Sequence, residues 1–151
     1  MNIEKKLETM GIVLPVPRKS AALLLPVKQM GNTLYVSGQL PFKDGELMYT
    51  GKVSGERTVE EGQDAARLCA INALGAVKDY LGDLDKVKNI IKLLIFVNSS
   101  EGFIDQPQVG NGASQVFIDV FGEAGRHARS AVGVYQLPRN ATVEIEVILE
   151  V

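Results

Sequence analysis

Residues 142–151 read Thr142-Val143-Glu144-Ile145-Glu146-Val147-Ile148-Leu149-Glu150-Val151. Val143, Ile145, Val147 and Leu149 alternate with Glu144, Glu146, Ile148 and Glu150, the period of two that marks a strand with two unlike faces. Working back along the chain, residues 130–135 read as another strand. Pro138-Arg139-Asn140 stands between them as a turn, so the two are expected to form an antiparallel β-hairpin. Before that hairpin, Val109, Ala113, Val116, Phe117 and Val120 make an apolar stripe at helical spacing. Pro107 suits its first turn and Gly122 its stop. Gly110 and Gly112 each weaken that first turn by about 1 kcal/mol, so it is expected to remain loop.

Further upstream, residues 87–97 are rich in β-branched and aliphatic side chains and read as a buried strand. Thr58 and Glu61 form a capping box ahead of a second stripe, Ala66, Ala70, Leu74, Val77 and Leu81, which Gly82 ends. Residues 21–27 and 34–37 read as strands around Met30-Gly31-Asn32, and Asp44-Gly45 marks a further tight turn. Pro15 and Pro17 keep residues 12–19 extended. Ile3, Leu7 and Met10 give residues 1–10 a short amphipathic helix. The order is β-hairpin, helix, strand, helix, β-hairpin: an α+β layer with both helices on one face. The other face then needs cover, which points to an oligomer whose sheets pack against one another.

The chain has 151 residues, enough for one domain with a sizeable core, and no linker or repeat divides it. Its 16 Lys and Arg against 18 Asp and Glu leave a net charge of −2, which argues against a dedicated nucleic-acid binder. Lys86, Lys88 and Lys92 are the local cationic cluster, and there is no Trp to stack a base. The apolar run of residues 90–97 is broken by Lys92 and is too short to span a bilayer, and residues 1–10 lack the pattern of a secretory signal. With a single cysteine, Cys69, no intrachain disulfide forms, and a cytoplasmic setting is expected. Cys69 falls within a helix and reads as a small core residue, and one histidine with one cysteine makes a metal site improbable.

Four places can carry chemistry. Arg129 opens a strand in Arg126-His127-Ala128-Arg129-Ser130. It either snorkels to solvent or grips a carboxylate through two parallel hydrogen bonds, with Ser130 adding a donor. Glu144 is either a solvated strand residue or a carboxylate that the hairpin brings near Arg129 to orient or deprotonate water. Ser37-Gly38-Gln39 is either a bulge or a bare backbone open to a ligand. His127, beside two arginines, is either a loop residue or an imidazole held neutral. Gly110-Asn111-Gly112 follows no strand and is weak as a phosphate loop.

The run Tyr35-Val36-Ser37-Gly38-Gln39-Leu40-Pro41, together with Arg129-Ser130-Ala131-Val132, Leu137-Pro138 and Val143-Glu144-Ile145-Glu146, resembles the RidA/YjgF family. That family is also labelled L-PSP endoribonuclease-like or reactive intermediate deaminase. The likeness runs from about residue 21 to the C-terminus, leaving residues 1–20 as an N-terminal extension of a single domain. It implies a chorismate-mutase-like fold with a mixed sheet, a homotrimer built around a central barrel, and clefts between subunits. It also implies hydrolysis of 2-imino or 2-enamino acids to 2-oxo acids and ammonia, with neither metal nor cofactor. By the resemblance, Arg129 would clamp the substrate carboxylate, Glu144 would position water, and Gly38 would line the cleft beside Ser37. Phe103 would be an aromatic reaching across the interface. The chain departs from the pattern at Leu24, where the deaminating members carry a tyrosine, at Ala131, where cysteine is frequent, and through residues 98–112. These mark a divergent branch. They leave open a trimeric 2-oxo acid binding protein without turnover and, more remotely, an RNA-directed activity.

Overall fold

The computed structural model describes residues 2–17 and 23–151. Thr58 stands in extended backbone with its hydroxyl accepting from the Glu61 N–H at 3.1 Å, while the Glu61 carboxylate accepts from the Thr58 N–H at 3.1 Å. This box starts α2 (Val59–Leu81), and Gly82 ends it in the left-handed region at φ 77°. Its buried stripe, Ala65, Ala66, Cys69, Ala70, Ala73, Leu74 and Val77, is mostly alanine, which lets neighbouring elements approach closely. Cys69 lies fully within it, and burial pushes its thiol well above the usual range.

The following helix is longer than its glycines suggested. α3 (Gln106–Phe121) includes both Gly110 and Gly112, with Pro107 in its first turn. Tertiary packing offsets their poor propensity: a methyl at 112 would collide with the Gln63 carbonyl of α2, and one at 110 would lie 2.8 Å from Ile95 Cδ1 and 3.3 Å from Arg129 Nη1. The two glycines thus admit neighbours and form no phosphate loop. A third helix, α1 (Ile3–Thr9), buries Ile3 and Leu7 and ties residues 2–10 to the body. The Ile3 N–H donates to Asp85 at 2.7 Å, and Lys78 pairs with Glu4 at 2.5 Å.

β1 (Val27–Met30) and β2 (Thr33–Gln39) form the expected first hairpin, turning at Gly31 with φ 58°. β1 begins later than expected: Pro26 has no N–H to give a ladder, residues 23–26 are irregular, and residues 21–22 lie outside the described part. A small separate hairpin, β3 (Phe42–Lys43) with β4 (Glu46–Leu47), turns at Asp44 and Gly45, both at positive φ.

The remaining strands correct the sequence reading. β5 (Asn89–Asn98), β6 (Ala128–Val134) and β7 (Val143–Glu150) assemble in the sheet order β1-β2-β7-β5-β6. β6 and β7 therefore form no hairpin. β5 lies between them, parallel to β6 and antiparallel to β7. The connection at Pro138–Asn140 is a 3₁₀ turn gripped from outside: the Gly51 N–H donates to the Asn140 carbonyl at 2.8 Å, and the Asn98 side chain donates to the Ala141 carbonyl at 3.0 Å. Those contacts carry the chain across the end of β5.

The helices cover one face of this mixed sheet. The opposite face presents Tyr35, Leu94, Phe96, Val132 and Ile148 by register, with Tyr35 and Val132 exposed in the single chain. Among the described residues no helix is long and apolar enough to cross a membrane.

Gly112→Ala tests the α2–α3 approach. Propensity alone would stabilise the helix by about 1 kcal/mol. The collision with Gln63 is expected to win, leaving a net loss of about 1–2 kcal/mol in urea unfolding, since overpacking costs about 1–3 kcal/mol. A rise in the unfolding midpoint would show that the helices can part at no cost.

Candidate functional site

Arg129 pairs with Leu93 of β5, so its side chain emerges on the helix-covered face, and it does not snorkel free. Its Nη1 donates to Asn111 Oδ1 at 3.0 Å and to Ser114 Oγ at 3.1 Å, and its Nη2 donates to the Pro107 carbonyl at 3.1 Å. All three acceptors belong to the first half of α3, and Gly110 supplies the room. A guanidinium carries five N–H donors. Nε–H and one Nη2–H therefore have no partner among the described residues, and no acid pairs with the group there. Charge-assisted bonds of this kind hold a guanidinium in one plane.

Ser114 leads on to His127. Its hydroxyl lies 2.9 Å from His127 Nε2, while His127 Nδ1 lies 2.6 Å from the Gly125 carbonyl. Burial lowers the imidazole pKa below its ordinary 6.5 and the nearby Arg129 charge lowers it further, against the Gly125 bond that raises it. His127 is thus packed into the structure, edge-on to Phe117, and is not a free loop residue.

Glu144 stands elsewhere. It pairs with Phe96 on the open face, whereas Arg129 pairs with Leu93 on the helix face. The expectation that a hairpin sets Glu144 beside Arg129 is therefore overturned: within one chain they are on opposite faces, with β5 between their strands. Ser130, paired with Leu94, shares the open face and not Arg129's side. β6 is an edge strand, so its outer backbone groups stay available.

What Glu144 does meet is Gly38. A methyl at Gly38 would collide with Glu144 Oε1, so the bare glycine is what lets the carboxylate lie over the β2 backbone, where the β2–β7 register shifts between Val36 and Gln39. No hydrogen bond fixes this carboxylate among the described residues. Burial raises its pKa above 4.5, and the neighbouring Glu146 charge adds to the rise. A half-buried carboxyl with a raised pKa is suited to proton transfer.

Gly38 borders a cavity of about 560 Å³ between β2, the β3–β4 hairpin and α2. Leu24, Ser37, Leu40, Phe42 and Arg139 are among its walls. Three expected site residues, Leu24, Ser37 and Gly38, thus come together. The Ser37 hydroxyl is already engaged, donating to the Leu25 carbonyl at 2.6 Å. Phe103 lies in the loop before α3, half-buried against the core, and its carbonyl accepts from Gln106.

Sequence reasoning missed Asn111, Ser114 and Arg139. The first two reach Arg129 only through the β5–α3–β6 crossover. Arg139 read as a turn residue, yet its backbone is left-handed at φ 56° and its guanidinium lies 5.6 Å over the Phe42 ring at the cavity wall. Among the described residues no three His, Cys, Asp or Glu side chains converge as a metal site would require.

A family model described as "YjgF/chorismate mutase-like, putative endoribonuclease" matches residues 4–151. The match takes in α1 and so extends past the boundary near residue 21 expected from the motifs. The chain is 46% identical over 149 residues to protein TCP17 of Trypanosoma cruzi, covering 98% of this chain and 93% of that one. It is 33% identical over 121 residues to the 2-iminobutanoate/2-iminopropanoate deaminase of Dermatophagoides farinae, covering 80% of each. Among solved structures, Atu1372 of Agrobacterium tumefaciens, a protein of unknown function, superposes with a TM-score of 0.93 at 48% identity, covering 99% of this chain and 93% of that one.

Glu144→Gln is expected to raise stability to urea at neutral pH. A carboxyl whose folded pKa is raised destabilises the fold wherever it is ionised. That penalty is complete above the raised value and disappears as pH falls below the unfolded value near 4.5. The advantage of the variant should therefore shrink through that window. Equal stability of both proteins at pH 7 would mean that the carboxylate is fully solvated.

Proposed function

The chain belongs to the YjgF/chorismate mutase-like, or RidA/YjgF, family, and from that premise we propose that it binds small 2-oxo, 2-imino or 2-enamino acids in a cleft between two copies of itself and hydrolyses the imines. One observation carries the reading. Arg129 holds a guanidinium in a fixed plane, and two of its N–H donors have no partner and no acid beside them among the described residues. A planar carboxylate fits that vacancy by two parallel bonds.

Arg129 and the Gly38–Glu144 pair face opposite ways in one chain, so a complete site requires a second copy. The apolar open face, with Tyr35, Phe96 and Val132, supports such packing, and three copies around a barrel is the assembly we propose. In that cleft Arg129 of one copy fixes the substrate carboxylate, and Glu144 of the next faces C2. Water adds to the carbon of the protonated imine while one of its protons passes to Glu144, giving a neutral tetrahedral carbinolamine. Glu144 returns that proton to nitrogen and then takes the hydroxyl proton as the C–N bond breaks, so ammonia leaves, C2 becomes the carbonyl of a 2-oxo acid, and the proton left on Glu144 passes to solvent. Arg129, Glu144 and the backbone at Gly38 carry these roles, and neither metal nor cofactor takes part. The name of the Dermatophagoides farinae relative supports the reaction class.

A second reading keeps the binding and drops the turnover. Leu24 brings no hydroxyl to the cavity, and that of Ser37 is engaged by Leu25, which leaves Glu144 as the one expected proton carrier beside Gly38. Ammonia release from a freshly generated 2-imino acid separates the two. A hydrolase should exceed the uncatalysed rate, Arg129→Ala should raise KM at least tenfold, and Glu144→Gln should lower kcat by about 100-fold. Wild-type release at the background rate, with 2-oxobutanoate still bound through Arg129, would favour the binding protein. A molar mass of one chain in light scattering would remove the shared cleft.

A further inference from the structure

The hydrogen-bond chain behind Arg129 has a direction that proton counting fixes. A carbonyl oxygen only accepts, so the 2.6 Å contact to Gly125 places a proton on His127 Nδ1. A neutral ring then offers Nε2 as an acceptor. Ser114 Oγ lies between that nitrogen at 2.9 Å and Arg129 Nη1, which can only donate, at 3.1 Å. The hydroxyl has one proton. It must accept from the guanidinium and give its proton to the imidazole.

We infer that Ser114 and His127 are positioning residues for Arg129. The imidazole acceptor holds the Ser114 proton away from the guanidinium, and this keeps the Nη1 side of Arg129 docked on α3 with its remaining donors turned to the ligand. The inference rests on Arg129 as the carboxylate clamp. Each element packed on the ring serves this arrangement. α3 brings Ser114 and the Phe117 ring, whose centroid is 6.2 Å away at 77°, and the turn Gly122–Gly125 brings the carbonyl. Arg129 is the charged group whose field reaches the imidazole, while Glu123 and Arg126 pair with each other in solvent at 3.9 Å. A second proton on the ring would make Ser114 Oγ accept from both neighbours and leave its own proton without the imidazole acceptor.

The test joins a spectroscopic signature to binding. In the intact protein, ¹⁵N spectra of the histidine ring at pH 7 should show the neutral Nδ1–H tautomer. The Arg129 Nε–H resonance should show a guanidinium in restricted rotation, lost in Ser114→Ala. Calorimetry with 2-oxobutanoate should show binding weakened about tenfold in Ser114→Ala and His127→Phe, the equivalent of one hydrogen bond to a charged group. His127→Gln, whose amide oxygen can accept from Ser114, should stay within about threefold of wild type, a recovery that a merely space-filling role would not produce. An Nε2–H tautomer, or unchanged affinity in both Ser114→Ala and His127→Phe while Arg129→Ala abolishes binding, would overturn the inference alone. If instead Arg129→Ala binds as wild type does, or wild type binds no 2-oxobutanoate, the clamp reading fails. The relay is then judged by the tautomer and the Arg129 resonance: a freely rotating guanidinium in wild type overturns it.

Discussion

Hydrogen bonding of β5 along both its edges, parallel to β6 and antiparallel to β7, sets the two charged groups of the candidate site apart and turns them to opposite faces. Had β6 and β7 paired directly, Arg129 and Glu144 could have met within the chain. With β5 between them, each chain carries two half-sites of the proposed cleft. One is a guanidinium under α3, and the other is a carboxylate over Gly38. The same arrangement leaves β6 as an edge and Phe96, Ile148 and Val132 on the face away from the helices, so the proposed packing surface and the proposed site are parts of the same sheet.

The two half-sites treat their charges in opposite ways. Arg129 is anchored by three bonds to α3, and the cost of half-burying it is offset by charge-assisted donors to a carbonyl, an amide and a hydroxyl, with no opposing charge among the described residues. An ion pair at this point would have filled the donors that the proposed ligand needs. Glu144 has no such anchor, and burial works against its ionised form. A fixed cation and a loosely held, reluctant anion suit recognition and proton transfer respectively.

Glycine placement connects packing to both. Gly112 sets the distance between α2 and α3, Gly110 opens the space that Arg129 enters, and Gly38 does the same for Glu144. In each case a methyl would meet a neighbour's atoms, so these are residues chosen for approach and not for flexibility. Across the cavity, Leu24, Leu40 and Phe42 give a wall without free hydroxyls, which is where this chain differs from the tyrosine-bearing pattern it otherwise resembles.

Sequence alone sufficed wherever the cause was local. The Thr58–Glu61 box, the Gly82 stop, the Asp44-Gly45 turn and the two faces of residues 143–150 all follow from side chains and backbone within a few positions of one another. Arg129, Glu144, Ser37 and Gly38 could be picked out because their motifs are themselves local strings. Strand neighbours could not, since a period of two says which side chains share a face but nothing about which strand lies alongside. The clasp of Asn98 and Gly51 on residues 140–141, which carries the chain across β5, joins segments some forty to ninety positions apart. For the same reason the route from Arg129 through Ser114 to His127 exists only once α3 is laid against β6: helix and strand patterns fix the elements, and the tertiary packing decides which polar groups meet.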